Sequence, residues 1–154
     1  MIAYSAPASI EIDPNTLERS ESGSITGLIH LRLGSQAFPE PSWNDFPVVI
    51  LGWWLDALHQ LRDGSAAHAE CQFMDGPCHF NIKPAGEAWR LEAVQNEGVV
   101  QVELVDPQSL WRSAVSKAHD LLGVCRQRGW TGRDVSVLAK QVEGASDAGE
   151  QFRG

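Results

Sequence analysis

One stretch, Trp43 to Gly64, constrains the fold of this chain more than any other, because it has the complete pattern of a buried helix. Pro47 stands where the first turn would begin, and Gly64 can adopt the left-handed conformation that ends a helix. Asp45 can cap the exposed backbone donors of that turn. The apolar stripe at helical spacing consists of Val48, Leu51, Trp54, Leu55, Leu58 and Leu61. The stretch predicts a buried helix against which an antiparallel sheet folds.

Alternating apolar residues predict strands on both sides of this helix. The strands are predicted around Ile10 and Ile12, Ile25 to Leu33, Cys71 and Phe73, Cys78 to Ile82, Trp89 to Ala93, and Val100 to Leu104. Asp75-Gly76 is a frequent hairpin turn, although Pro77 weakens the two-residue form. The two-residue form would place Cys71 opposite Phe80.

A second long helix is predicted after the last strand, because Asp106 and Pro107 repeat the combination of a cap and a proline. Its stripe comprises Leu110, Trp111, Ala114, Ala118, Leu121, Leu122 and Cys125. A short third helix fits between Thr131 and Val142. The order β-β-α-β-β-β-β-α-α predicts an α+β fold, with an antiparallel sheet of about six strands packed against two main helices. We expect one domain over residues 1–143 and a flexible C-terminal tail over residues 144–154.

The charge of the chain limits its partners. The 154 residues carry a net charge of -8, and residues 1–61 hold only two basic side chains against seven acidic ones. Nucleic acid and anionic membranes require a basic surface, so we expect neither as a direct partner. We expect no signal peptide, because the first residues include no basic side chain and no long apolar run, and no apolar segment approaches the length of about 20 residues that spans a bilayer. Three cysteines without metal-ligand spacing favour reduced thiols in a cytoplasmic protein.

The motifs of the common chemistries are missing from the sequence. It contains no G-x-S-x-G, no glycine-rich phosphate loop and no zinc-ligand spacing. One constellation remains, since His30, Glu70 and His79 fall at outward strand positions and could meet if their strands were neighbours. Two imidazoles and a carboxylate can hold a divalent metal, but such residues are also ordinary on the outer face of a sheet. We therefore predict no catalytic residue, no cofactor and no metal site.

Two tryptophans are candidates for contact with another protein, because aromatic side chains dominate binding hot spots. Trp43 lies in a proline-rich segment beside Glu40 and Asp45, so it is either an exposed anchor or part of the packing of the loop. Trp53 falls off the apolar stripe of the first helix. It belongs either to a second buried face or to an exposed anchor.

Three segments resemble small bacterial immunity proteins that are encoded beside polymorphic or contact-dependent growth-inhibition toxins. They are F-P-E-P-S-W-N-D-F-P, the helix containing W-W-L, and F-M-D-G-P-C before a strand. The likeness covers about residues 38–125, and its motifs are structural, so it assigns no functional residue. It implies a cytoplasmic protein without enzymatic activity that neutralises one cognate toxin domain, commonly a basic nuclease.

On this hypothesis the chain binds the toxin and occludes its active site. Glu40, Asp45 and Asp56 would take the place of a nucleic-acid backbone, and Trp43 would slow release of the complex. One alternative is a protein- or ligand-binding domain unrelated to toxins. Another is a metal-dependent enzyme that uses His30, Glu70 and His79.

Overall fold

The first half of the chain forms an antiparallel sheet around one central strand. The structure, a computed structural model, describes residues 4–74 and 76–151. Strand β1 (Ala8–Arg19) pairs with β2 (Ile25–Leu33), and the opposite edge of β2 pairs with β3 (Gln36–Phe38) and β4 (Asn44–Asp45). Alternate side chains of β1 and β2 are buried, as expected for a sheet with one face on the core.

Helix α1 (Pro47–Asp63) follows β4 and confirms the main prediction from the sequence. Pro47 lies in the first turn, and Gly64 ends the helix with a φ of 83°. Every residue of the predicted apolar stripe is buried. Helix α1 contacts β2 and both later helices, so it occupies the centre of the core.

The second sheet is a meander of four antiparallel strands in the order β5 (Ala69–Gln72), β6 (Cys78–Ala85), β7 (Ala88–Gln95) and β8 (Gly98–Val105). Cys71 lies opposite Phe80, which is the predicted hairpin register. Asp75, one of the two predicted turn residues, lies outside the described residues.

Two helices complete the chain. Helix α2 (Pro107–Gln127) begins with the predicted cap, since the Asp106 carboxylate accepts a hydrogen bond from the Gln108 backbone at 3.1 Å. All seven residues of its predicted stripe are buried. Helix α3 (Arg133–Gln151) is longer than the predicted segment that ended at Val142, and Ala145 in its extension is buried. Residues 152–154 of the predicted tail lie outside the described residues.

The α+β class is confirmed, but the prediction of one sheet of about six strands is wrong. The described residues form two four-stranded antiparallel sheets. Strands β3 and β4 have three and two residues, which is too short for alternation to show in the sequence. Periodicity also does not determine which strands pair, because pairing depends on contacts between distant segments.

The predicted role of Asp45 as the cap of α1 is also wrong. The N-cap residue is Phe46, which makes no side-chain cap hydrogen bond. The Asp45 carboxylate is completely buried, and it accepts hydrogen bonds from the Phe46 backbone at 2.8 Å, the Trp43 indole at 2.9 Å and the Met74 backbone at 3.1 Å. It therefore connects β4, the start of α1 and the β5–β6 hairpin.

Replacing this carboxylate should destabilise the protein strongly. Asp45→Ala leaves three partly buried donors without this acceptor, and we expect the free energy of unfolding to fall by about 3 kcal/mol. Trp43→Phe removes one donor and should cost about 1 kcal/mol. Urea denaturation of both variants measures the difference. Asp56→Ala, at an exposed position, is the control, and an equal effect of Asp45→Ala and Asp56→Ala would contradict the assigned role.

Candidate functional site

The structure separates the four residues that were predicted to bind a partner. Glu40 and Asp56 are exposed, Trp43 is half-buried, and Asp45 is completely buried. The carboxylate of Glu40 accepts a long hydrogen bond of 3.5 Å from Ser42, and its backbone carbonyl accepts one from the Trp43 backbone at 3.3 Å. Glu40 and Asp56 thus remain available at the surface, on different elements.

Trp43 is held by contacts within the protein. Its indole packs edge-on against Phe73 with ring centroids 6.0 Å apart and donates to the Asp45 carboxylate. A side chain at Gly76 would come within 3.0 Å of the same indole. These contacts correspond to the loop-packing role that the sequence left open for Trp43. Asp45 has no exposed surface with which to meet another molecule.

Trp53 is the exposed aromatic residue of α1, with 49% of its surface accessible. Three polar side chains follow it on the same side of the helix, at intervals of three, four and three residues. These four residues, Trp53, Asp56, Gln60 and Asp63, are called the α1 ridge below, and all are exposed. The ridge spans about 15 Å at 1.5 Å per residue.

Hydrogen bonds order the carboxylates of the α1 ridge. Gln60 donates to the Asp56 carboxylate at 3.0 Å. Hydrogen bonds from Ser65 hold the pKa of Asp63 below its usual value, and His59 lies 3.7 Å from the same carboxylate. The ridge therefore presents an aromatic surface next to two hydrogen-bonded carboxylates. The sequence showed only that Trp53 falls off the buried stripe, which did not distinguish exposure from a second buried face.

The predicted metal constellation does not assemble, because its members lie in different sheets. His30 is on β2, whereas Glu70 and His79 are on β5 and β6, where His79 Nε2 lies 3.6 Å from a Glu70 carboxylate oxygen. Over residues 4–74 and 76–151 no three His, Cys, Asp or Glu side chains are placed to share a metal ion. The three residues could meet only if β2 were a neighbour of β5 or β6, and it is not.

His30 lies half-buried on the outer face of the first sheet, opposite Glu11. Burial lowers its pKa, and the nearby Arg32 lowers it further, against the opposing effect of Glu11. A shallow pocket of about 330 Å³ adjoins these side chains. The imidazole is therefore harder to protonate in the folded chain than in the unfolded one.

His30 should make the stability of the protein depend on pH. Because the folded-state pKa is lowered, the unfolded chain binds the proton first as the pH falls below about 6.5, and stability decreases with it. We expect the free energy of unfolding to fall less steeply between about pH 6.5 and 5 in His30→Gln than in the unmodified protein. Denaturation at several pH values measures this. His68→Gln, at an exposed position, is the control, and identical slopes for His30→Gln and the unmodified protein would contradict the prediction.

All three cysteines are free and buried, as predicted for packed thiols. Burial raises the pKa of Cys71, Cys78 and Cys125 above the ordinary value. A thiol in such surroundings stays protonated at neutral pH and is a poor nucleophile.

An open cleft of about 530 Å³ lies beside the start of α1. It lies between the β1–β2 turn, the start of α1 and the loop that precedes α3. Arg19 and Arg133 line it together with the acidic Asp134. Arg19 donates to the backbone carbonyl of Thr131 at 2.9 Å, so its guanidinium also fastens the two walls together.

Comparisons of the chain with models of protein families, with curated proteins and with solved structures find no match. In the part of the chain that the structure describes, no helix combines the length and the apolar character needed to cross a bilayer.

Proposed function

We propose that the chain is a binding protein of the immunity type, which acts in the cytoplasm and blocks the active site of a cognate basic toxin domain. The observation that carries the proposal is the α1 ridge, where an aromatic side chain is 49% exposed beside ordered carboxylates. Aromatic residues supply the anchors of protein interfaces, and carboxylates supply the complement of a basic surface.

The distribution of charge supports a basic partner. The chain has a net charge of -8, and the seven acidic residues among residues 1–61 outnumber two basic ones. Asp45 is buried, and the side chains of Glu11, Asp13, Glu18, Glu21, Glu40 and Asp56 are exposed or half-buried. Such a surface repels nucleic acid and attracts the Lys and Arg residues that nucleases use to hold it.

The proposed mechanism is electrostatic attraction followed by occlusion. The negative surface raises the association rate with a basic domain, and this effect weakens as salt screens the charges. Asp56 and Asp63 then occupy positions that backbone phosphates would take on the toxin, while Trp53 fills an apolar depression and slows dissociation. Glu40 lies on a separate loop and would contribute at the margin of the contact. Asp45 and Trp43 contribute by holding α1 in place.

Substitutions on the α1 ridge test the proposal with the toxin domain that we expect to be encoded immediately upstream of this chain. Asp56→Lys should lower the affinity about tenfold or more and reduce its dependence on salt, because it reverses a charge at the contact. Trp53→Ala should lower affinity by about 2 kcal/mol through faster dissociation. Titration calorimetry and stopped-flow kinetics measure these changes.

Glu87→Lys is the matched control, because it reverses an exposed acidic residue in the β6–β7 turn and should leave affinity close to that of the unmodified chain. Glu40→Lys should have an intermediate effect. Failure of the upstream domain to bind the unmodified chain would remove the proposal. Binding that Asp56→Lys and Trp53→Ala leave unchanged would remove the α1 ridge from the interface.

A further inference from the structure

Strand β8 concentrates exposed apolar side chains at the end of the second sheet. Among the described residues eight large apolar side chains are well exposed, and four of them lie in this strand of eight residues. Their exposed fractions are 54% for Val99, 56% for Val100, 42% for Val102 and 36% for Leu104. From Val100 to Leu104 the sequence of β8 alternates like that of a half-buried strand, yet Val100, Val102 and Leu104 are exposed to solvent. An apolar edge strand of this kind is a template for pairing with another strand.

On two other outer strands in the described part of the chain, a side chain bonds the backbone groups of a single residue. On β1, the backbone of Ile10 both donates to Ser113 at 2.7 Å and accepts from it at 3.3 Å. On β5, the carbonyl of Gln72 accepts a hydrogen bond from the Trp54 indole at 2.8 Å. On β8, Ser5 bonds both backbone groups of Leu104, at the end of the strand. The apolar part of β8 before Leu104 has no such cover from the described residues.

We propose that β8 pairs with β8 of a second copy of this chain, antiparallel and centred on Gln101. The backbone groups of Leu104 face away from β7, because they bond Ser5, so those of Val102 face away from β7 as well. Val100 is skipped in the register between β7 and β8, where Ala93 pairs with Gln101 and Val94 with Val99. Val100 is thus the extra residue of a β-bulge, and Val102, next to Gln101, has its backbone groups at the open edge.

The segment from Val99 to Glu103 complements itself about Gln101. In this register Val100 lies opposite Val102 of the partner subunit, and the two Gln101 side chains, whose amides both donate and accept, face each other. Glu103 lies opposite Val99 of the partner subunit, so no like charges meet. The nearest charged side chains on β7 form a salt bridge with each other, in which Arg90 Nη2 lies 3.2 Å from Glu92 Oε1.

Neighbouring registers are less favourable. Centring the pair on Glu103 would bring two carboxylates opposite each other, which is destabilising. Centring it on Val102 would require the partner to bond Leu104, whose backbone groups Ser5 already occupies. The register centred on Gln101 avoids both conflicts.

The pairing should be weak and should strengthen with salt. A contact of about five residues from each copy is smaller than a standard protein interface. Each copy also carries a net charge of -8, and this mutual repulsion falls when salt screens it. Binding of the acidic surface to a basic toxin has the opposite salt dependence, so the two associations can be told apart in the same protein.

Sedimentation equilibrium of the full chain tests the proposal, at protein concentrations up to the millimolar range and at low and high salt. The unmodified chain should dimerise reversibly, and Val102→Lys should raise the dissociation constant by about tenfold or more, because it places a charge in the apolar contact. Val137→Lys is the matched control, since Val137 is 45% exposed on α3. A thermal melt confirms that each variant folds. A strictly monomeric chain, or equal dissociation constants for the two lysine variants, would overturn the proposal.

A cysteine cross-link tests the register independently of how the lysine variant folds. Directly opposed residues of a narrow antiparallel pair have Cα atoms about 4.5 Å apart, within the range of a disulfide. Under mild oxidation Gln101→Cys should therefore form a covalent dimer, while Glu103→Cys and Val137→Cys should not. The native thiols do not interfere, because all three are buried. Cross-linking of Gln101→Cys no faster than of Val137→Cys would overturn the proposed pairing, and faster cross-linking of Glu103→Cys would overturn the register.

Discussion

The buried carboxylate of Asp45 is the interaction on which the arrangement of the described elements depends. It accepts hydrogen bonds from Trp43 in the loop before α1, from the N-cap residue Phe46 and from Met74 in the β5–β6 hairpin. A carboxyl group completely removed from water is tolerated only when such bonds compensate for its lost hydration. The contact of α1 with both sheets therefore depends in part on one side chain.

An aromatic cluster reinforces this junction. Phe73 packs edge-on against Trp43 at 6.0 Å and against Trp54 at 5.1 Å, and Trp54 also meets Phe80 at 5.1 Å. Edge-to-face pairs add directional attraction to the burial of apolar area. The cluster and the carboxylate lie at the same place, so the hairpin of the second sheet is fixed to the helix that follows the first sheet.

The helices could be predicted from the sequence because their signals are local. Both predicted stripes are buried, and the Asp106 cap forms as expected, since helical spacing and capping involve residues within one or two turns. The division into two sheets could not be predicted, because strands β3 and β4 are too short to show a pattern. Asp45 was misassigned for a related reason. The backbone donors closest to Asp45 in the sequence are those of the helix that follows it. The Met74 backbone donor is 29 residues away in the chain, so its contact with Asp45 is not visible in the sequence.

The candidate surface was only partly predictable. Acidity and the two open roles of Trp53 were visible in the sequence, but exposure depends on which face of α1 the rest of the fold covers. The partial burial of Trp43 could not be predicted either, because its contacts with Phe73 and Asp45 are made only in the folded chain. The exposure of the β8 valines could not be predicted for the same reason, since an alternating pattern does not show which set of side chains points to solvent.

The central position of α1 has a consequence for how its exposed side can act. A helix that contacts one sheet, two other helices and a strand of the second sheet cannot open without disrupting most of the core. Its solvent-facing residues are therefore presented in one fixed geometry before any encounter. A visiting molecule would lose little entropy to ordering of this backbone, and it would have to match the spacing along the helix as it stands.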